Sequence, residues 1–214
     1  MHFKVLLQMK EKDIYSELSS IRSLMERSSK FISLSGLSGI LAGIYALVGA
    51  GIAYKLVYGR NAGLGYRDFY INEPLILWQL FFIAATVLIL SLITGVWLTI
   101  RQAHKKGENV WNPVSKRLLI NMSIPLFTGG FFILILLVRG EYGIIAPSCL
   151  IFYGLALIAG SHYTFSDVKW LGFFEIVLGL AAALLPGYGI VFWTIGFSLL
   201  HIIYGSVMHF KYNK

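Results

Sequence analysis

Two ionisable residues, Glu175 and His201, lie inside the two apolar runs nearest the C-terminus. These runs, about residues 168–185 and 189–208, are joined by Pro186-Gly187-Tyr188-Gly189 and predict a helical hairpin that crosses a membrane twice. Both residues lie about 12 or 13 residues from the turn, so a helical rise of 1.5 Å per residue places them at the same depth. A carboxyl and an imidazole at one depth predict either a proton or ligand site or a polar clamp between two helices.

Both side chains belong to stripes of small residues, which mark the faces on which membrane helices pack closely. The stripes are Gly172, Glu175, Gly179 and Ala182 on the first arm and Thr194, Ser198, His201, Gly205 and His209 on the second. We therefore predict that Glu175 and His201 face the interior of a helix bundle. If they form a functional site, Glu175 is the proton acceptor and His201 its tuning partner. Ser198, Thr194 and Asn121 then supply polar lining.

The composition is that of a membrane protein. Of 214 residues, 57% are hydrophobic and 13% are charged, and the mean hydropathy is +0.73. A soluble domain carries nearly twice that share of charge. The net charge of +8 is distributed at the ends of apolar runs, which is typical of lipid headgroup contacts and not of nucleic-acid binding. Cys149 is the only cysteine, so an internal disulfide is excluded.

Six apolar runs predict an all-α integral membrane protein with six transmembrane helices. The predicted spans are about residues 31–54, 75–100, 118–138, 142–160, 168–185 and 189–208, within one transmembrane domain that covers residues 31–214. Residues 1–30 repeat apolar side chains at Ile14, Leu18, Ile21 and Met25 and predict an amphipathic helix in the membrane interface. The segments on one side of the six spans carry 14 Lys and Arg and those on the other side carry 4, which places both termini in the cytoplasm.

The first span carries a long seam of small residues, including Gly39 and Gly43 in a GxxxG pattern. Such a seam predicts close helix packing. The seam packs either against another span of the same chain or against a homo-oligomer or membrane partner that contacts the first span.

Two stretches resemble a group of uncharacterised bacterial multi-pass inner-membrane proteins. They are SLSGLSGILAGIYALVGA, at residues 33–50, and PGYGIVFWTIGFSLLHIIYG, at residues 186–205. The resemblance covers about 40 of the 214 residues. It implies a bacterial inner-membrane location and no particular activity.

No catalytic motif is present: the sequence contains no Walker loop, no HExxH, no GxSxG and no dinucleotide-binding glycine pattern. We predict no catalytic residues, no metal ligands and no cofactor. A b-type haem held by two histidines is the alternative. Four histidines lie toward the cytoplasmic half: His104, His162, His201 and His209. Of these, only His201 lies well inside a predicted span.

These observations lead to a non-enzymatic integral membrane protein as the first hypothesis, with a binding, sensory or accessory role. The second hypothesis is a proton-coupled transporter or channel for a small solute that uses Glu175 and His201. A b-type haem redox protein is the third. The expected partner is the lipid bilayer, and the first span leaves open a homo-oligomer or membrane partner; nucleic acid is not expected.

Overall fold

The computed structural model describes residues 35–58, 74–107 and 109–212, and the regular structure within them is helical. Six helices follow one another: α1 (Gly36–Tyr58), α2 (Pro74–Lys105), α3 (Pro113–Arg139), α4 (Ile145–Ser161), α5 (Val168–Leu184) and α6 (Gly189–Tyr212). A 3₁₀ turn, Tyr142–Ile144, precedes α4. Five of the six are long and apolar enough to cross a membrane, α4 when it is counted together with the 3₁₀ turn before it as Tyr142–Ser161; α5, with 17 residues, is the exception. Their outer faces expose large apolar side chains, as lipid contact requires.

Consecutive helices run antiparallel, and α6 lies at the centre of the bundle. It contacts α1 on one side and α4 and α5 on the other, while α2 packs outside on α1 and α3 packs on α4. The end of the bundle where α1 begins and α6 ends is called the basic end here. Most described cations lie there: Arg101, Lys105, Lys106, Lys116, Arg117, Lys169 and Lys211. Lys55 and Arg139 lie toward the opposite end.

The small-residue seam of α1 packs against α6 of the same chain. A Cβ atom added to Gly39 would lie 3.2 Å from the Gly205 Cα, and one added to Gly43 would lie 2.8 Å from the Ser198 carbonyl oxygen. The two backbones therefore meet where only glycine fits, which maximises dispersion contacts in the absence of a hydrophobic driving force. At the opposite end, the Tyr58 hydroxyl donates to the Gly187 carbonyl at 3.0 Å and ties α1 to the turn between α5 and α6.

A second close approach joins α4 to α5. A Cβ on Gly172 would lie 2.6 Å from the Gly154 carbonyl oxygen, and one on Gly179 would lie 3.0 Å from the Pro147 carbonyl oxygen. Gly172, Gly179 and Gly205, which we predicted as packing positions, are all buried. The arrangement brings the face of α5 that carries Glu175 directly against its neighbours.

Several helices extend beyond the predicted spans. The predicted spans end at about residue 100 and begin again at about residue 118, whereas α2 continues to Lys105 and α3 begins at Pro113. The Asn112 side chain caps α3 by accepting from the backbone nitrogens of Val114 and Ser115 at 2.9 and 2.8 Å. Our spans followed the apolar runs alone, whereas a capped helix continues into the polar interface.

The remaining boundaries differ in the same way. The first helix reaches Tyr58 and the last continues to Tyr212, each past its predicted end, while the predicted start near residue 31 lies outside the described residues. The predicted interfacial helix at 1–30 and most of the loop at 55–74 lie outside the described residues.

Candidate functional site

Glu175 lies in the middle of α5 and is fully buried, with 0% of its surface exposed. Close packing of α4 and α5 at their glycines encloses it on one side. On the other side its Oε2 atom touches the backbone of α6, because a Cβ added to Gly196 would lie 2.5 Å from that oxygen. The prediction that this carboxyl group faces the interior is confirmed.

His201 lies in α6 directly after a π-helical segment, Ile195–Leu200. A π turn carries one residue more than an α turn, and such turns occur frequently at functional sites. Across this turn the His201 Nδ1 atom is 3.0 Å from the Gly196 carbonyl oxygen. A carbonyl can only accept, so Nδ1 carries the hydrogen in this contact. The residue is 6% exposed and faces the bundle interior, as predicted.

The two residues meet. His201 Nδ1 lies 3.5 Å from Glu175 Oε1, within the range of an ion pair. Neither carboxyl oxygen of Glu175 has a hydrogen-bond partner among the residues that the structure describes. The Nδ1 hydrogen therefore faces two acceptors, the Gly196 carbonyl and the Glu175 carboxyl group, and is bonded to the first.

Tyr153 of α4 is a third member of the site that our reading of the sequence missed. Its hydroxyl lies 2.8 Å from His201 Nε2, on the far side of the imidazole from Glu175. Since Nδ1 carries a hydrogen, Nε2 of the neutral ring accepts from the Tyr153 hydroxyl. The available signal was a tyrosine in mid-span, because membrane tyrosines concentrate at the interfaces.

An aromatic ring fixes the imidazole in place. Phe197, one turn before His201 on α6, stacks on it with a centroid distance of 6.0 Å and also contacts the Tyr153 ring at 5.1 Å. With both ring nitrogens hydrogen-bonded and one face covered, His201 has one defined orientation. Three helices thus build the cluster that we call the Glu–His–Tyr site: Glu175 from α5, His201 from α6 and Tyr153 from α4.

The other predicted lining residues behave differently from one another. Ser198 is fully buried, and its hydroxyl has no hydrogen-bond partner among the described residues. Thr194 donates to the Ile190 carbonyl and Asn121 to the Arg117 carbonyl, each within its own helix. No described contact joins Thr194 or Asn121 to Glu175 or His201, so their lining role stays a prediction.

A haem iron in the interior of the bundle would have to bind His201. Both of its ring nitrogens are engaged, by Tyr153 and by Gly196, so an axial bond to iron would require one of these contacts to break. In the described part of the chain, no group of three His, Cys, Asp or Glu side chains is placed to hold a metal ion.

A second polar cluster lies at the basic end, where the α4–α5 loop meets the end of α6. Asp167 accepts from Lys211 Nζ at 2.8 Å and from the Tyr212 hydroxyl at 3.0 Å. The Lys211 hydrogen bond is the main reason that the pKa of Asp167 lies below its ordinary value. The carboxylate therefore stays ionised at neutral pH and is protonated only in stronger acid than a free aspartic acid.

No family model, curated protein or solved structure matches the chain. The resemblance to uncharacterised bacterial inner-membrane proteins stays a prediction.

Proposed function

We propose that the chain is a proton-coupled membrane protein, a transporter or channel for a small solute, in which Glu175 exchanges a proton with His201. One observation carries the proposal: the fully buried Glu175 carboxyl group lies 3.5 Å from an imidazole and accepts no hydrogen bond from any described residue. An uncompensated carboxyl group at this depth costs about 3 kcal/mol or more. Such a cost is retained where function requires the group.

The geometry supplies a two-state element for coupling. Ionised Glu175 attracts the Nδ1 hydrogen of His201 away from the Gly196 carbonyl, and protonated Glu175 releases it. The Gly196 carbonyl belongs to the π turn of α6, so the two protonation states leave that turn with different hydrogen bonding. A difference in contacts between two states is what allows proton binding to shift a conformational equilibrium.

We further propose that all six helices span a bacterial inner membrane, with both termini in the cytoplasm. The concentration of cations at the basic end supports this orientation. A reporter fused after Lys214 that is active only in the cytoplasm is expected to be active. Activity of only a periplasmic reporter at the same site would contradict the orientation.

Transport requires that water reaches the site in at least one state. In a Cys149→Ser background, which removes the native thiol, Ser198→Cys is expected to react with a charged, membrane-impermeant maleimide at some pH between about 5 and 9. Serine and cysteine are similar in size, so the buried position tolerates the change. Gly179→Cys is unsuitable because its Cβ would lie 2.6 Å from Ile151 Cγ1.

The matched control is Leu199→Cys in the same background. Leu199 neighbours Ser198, and its side chain is exposed on the outside of the bundle, where lipid shields it from a charged reagent. We expect it to stay unreactive throughout. Complete protection of Ser198→Cys at every pH would contradict the transport proposal.

A non-enzymatic binding, sensory or accessory role is the second candidate. The observation that favours it is the burial of the acid and the imidazole, with exposed fractions of 0% for Glu175 and 6% for His201. A buried polar contact also suits a clamp that fixes three helices in register. Protection of Ser198→Cys, together with co-purification of another membrane protein in pull-downs, would support this role.

A further inference from the structure

Tyr204 lies on α6, three residues from His201 in the direction of the basic end. Its hydroxyl oxygen is buried and has no hydrogen-bond partner among the described residues. A buried hydroxyl without a partner is costly, yet phenylalanine would fill the same space without that cost. No hydrogen bond among the described residues therefore offsets the cost of burying this hydroxyl.

The surroundings of Tyr204 connect the Glu–His–Tyr site with the basic end. Along α6, Tyr204 follows His201 by three residues and precedes Tyr212, the partner of Asp167, by eight. All three tyrosines pack against one apolar cluster, formed by Leu157, Phe165, Val168, Leu171 and Met208. The three tyrosines thus bring three hydroxyl groups to an otherwise apolar core.

The groups near the two ends of this set of tyrosines can each bind or release a proton. At the basic end, Asp167 is partly exposed, ionised at neutral pH and bonded to the Tyr212 hydroxyl, so it can collect protons from water. At the inner end, the Tyr153 hydroxyl is bonded to His201 Nε2, and Nδ1 of the same ring faces Glu175. Tyr204 lies between the two.

We propose that Tyr204 is a proton-relay residue that connects the Glu–His–Tyr site with Asp167 at the basic end. A proton from Asp167 reaches the Tyr204 oxygen through water, while the original hydroxyl proton leaves through water toward Tyr153. Tyr153 passes its own hydroxyl proton to His201 Nε2 and is reprotonated from Tyr204. The imidazolium then gives its Nδ1 proton to the Glu175 carboxylate. One proton moves inward, every hydroxyl is regenerated and no electron is transferred. His201 is left as the neutral tautomer with its hydrogen on Nε2, and the return of the Glu175 proton to Nδ1 restores the starting form.

The proposal rests on the proposed function, and one experiment separates the two. Purified protein in liposomes is given a pH step, and the carboxyl infrared band that Glu175→Gln removes is followed in time. Tyr204→Phe is expected to slow this band about tenfold or more without changing its final amplitude, because it removes a relay and leaves the endpoint intact. Tyr188→Phe, at the opposite end of α6, is expected to match the wild type.

Each result is decisive. A wild-type Glu175 band that ignores pH would overturn the proposed function itself. A responding band with wild-type kinetics in Tyr204→Phe would overturn only the relay, as would equal slowing in Tyr188→Phe. If Tyr204→Phe does not fold, Asp167→Asn tests the entrance of the same series. It is expected to slow the band, and unchanged kinetics would contradict the relay.

Discussion

Glu175→Gln is expected to leave the protein as stable as the wild type or more stable. Glutamine keeps the shape of the side chain and removes its ability to ionise. Since the carboxyl group accepts no hydrogen bond from the described residues, little bonding is lost when it is replaced. The cost of holding an ionisable group in the bundle is lost as well. The measurement is the thermal unfolding midpoint in detergent, from about pH 5 to about pH 9.

Glu141→Gln is the control, because Glu141 lies on the exposed surface at the opposite end of the bundle and its replacement should be neutral. A loss of about 2 kcal/mol or more in Glu175→Gln, with Glu141→Gln unchanged, would identify the site as a structural clamp. Breaking a stabilising buried pair has an effect of that size. The accessory role would then be the better account of the chain.

Gly205→Ala is expected to destabilise the protein by about 2 to 3 kcal/mol, as overpacking of a well-packed contact does. A Cβ at this position would lie 2.6 Å from the Ile40 backbone nitrogen and 2.7 Å from the Gly36 carbonyl oxygen. Both atoms belong to the α1 backbone, which cannot rotate away as a side chain can. The two helices must separate, and the unfolding midpoint in detergent should fall.

Gly51 on α1 and Gly95 on α2 provide matched controls, because a Cβ at either position meets nothing within 4 Å. Alanine at these sites should be neutral or stabilising by up to about 1 kcal/mol through its higher helix propensity. Gly205→Ala with the stability of Gly51→Ala would show that α1 and α6 are not in close contact.

The meeting of Glu175 and His201 could be predicted because it depends on two quantities that a sequence carries. One is the distance of each residue from the hairpin turn, and the other is its rotation about the helix axis. Both follow from regular helical geometry. The 3.5 Å separation agrees with that reasoning even though one arm contains a π segment.

Tyr153 and Gly196 could not be found in the same way. Tyr153 reaches His201 only because α4 packs against α6, and the tertiary pairing of helices is not encoded in the pattern of any single span. The Gly196 carbonyl becomes a partner of Nδ1 through the π turn, which is a local change of backbone register. Hydrophobic periodicity does not distinguish one such turn from continuous α-helix.

The packing of the first span could likewise be predicted only in part. Its small residues predicted close packing, and Gly39 and Gly43 do approach a neighbouring backbone. The identity of the neighbour, α6, depends on the folding of the whole chain. A homo-oligomer or membrane partner that contacts the first span stays a prediction.

The contact between Gly39 and Gly205 also sets an order of assembly during synthesis. These residues are 166 positions apart in the sequence, so α1 enters the membrane long before its main partner exists. At about 5 to 20 residues per second, the ribosome needs roughly 10 to 30 seconds to make the intervening chain. Throughout that interval the glycine face of α1 contacts lipid or another nascent chain. Of the described helices, α6 is synthesised after the other five and completes the centre of the bundle. A chain truncated before it would lack both His201 and the surface that covers the α1 seam.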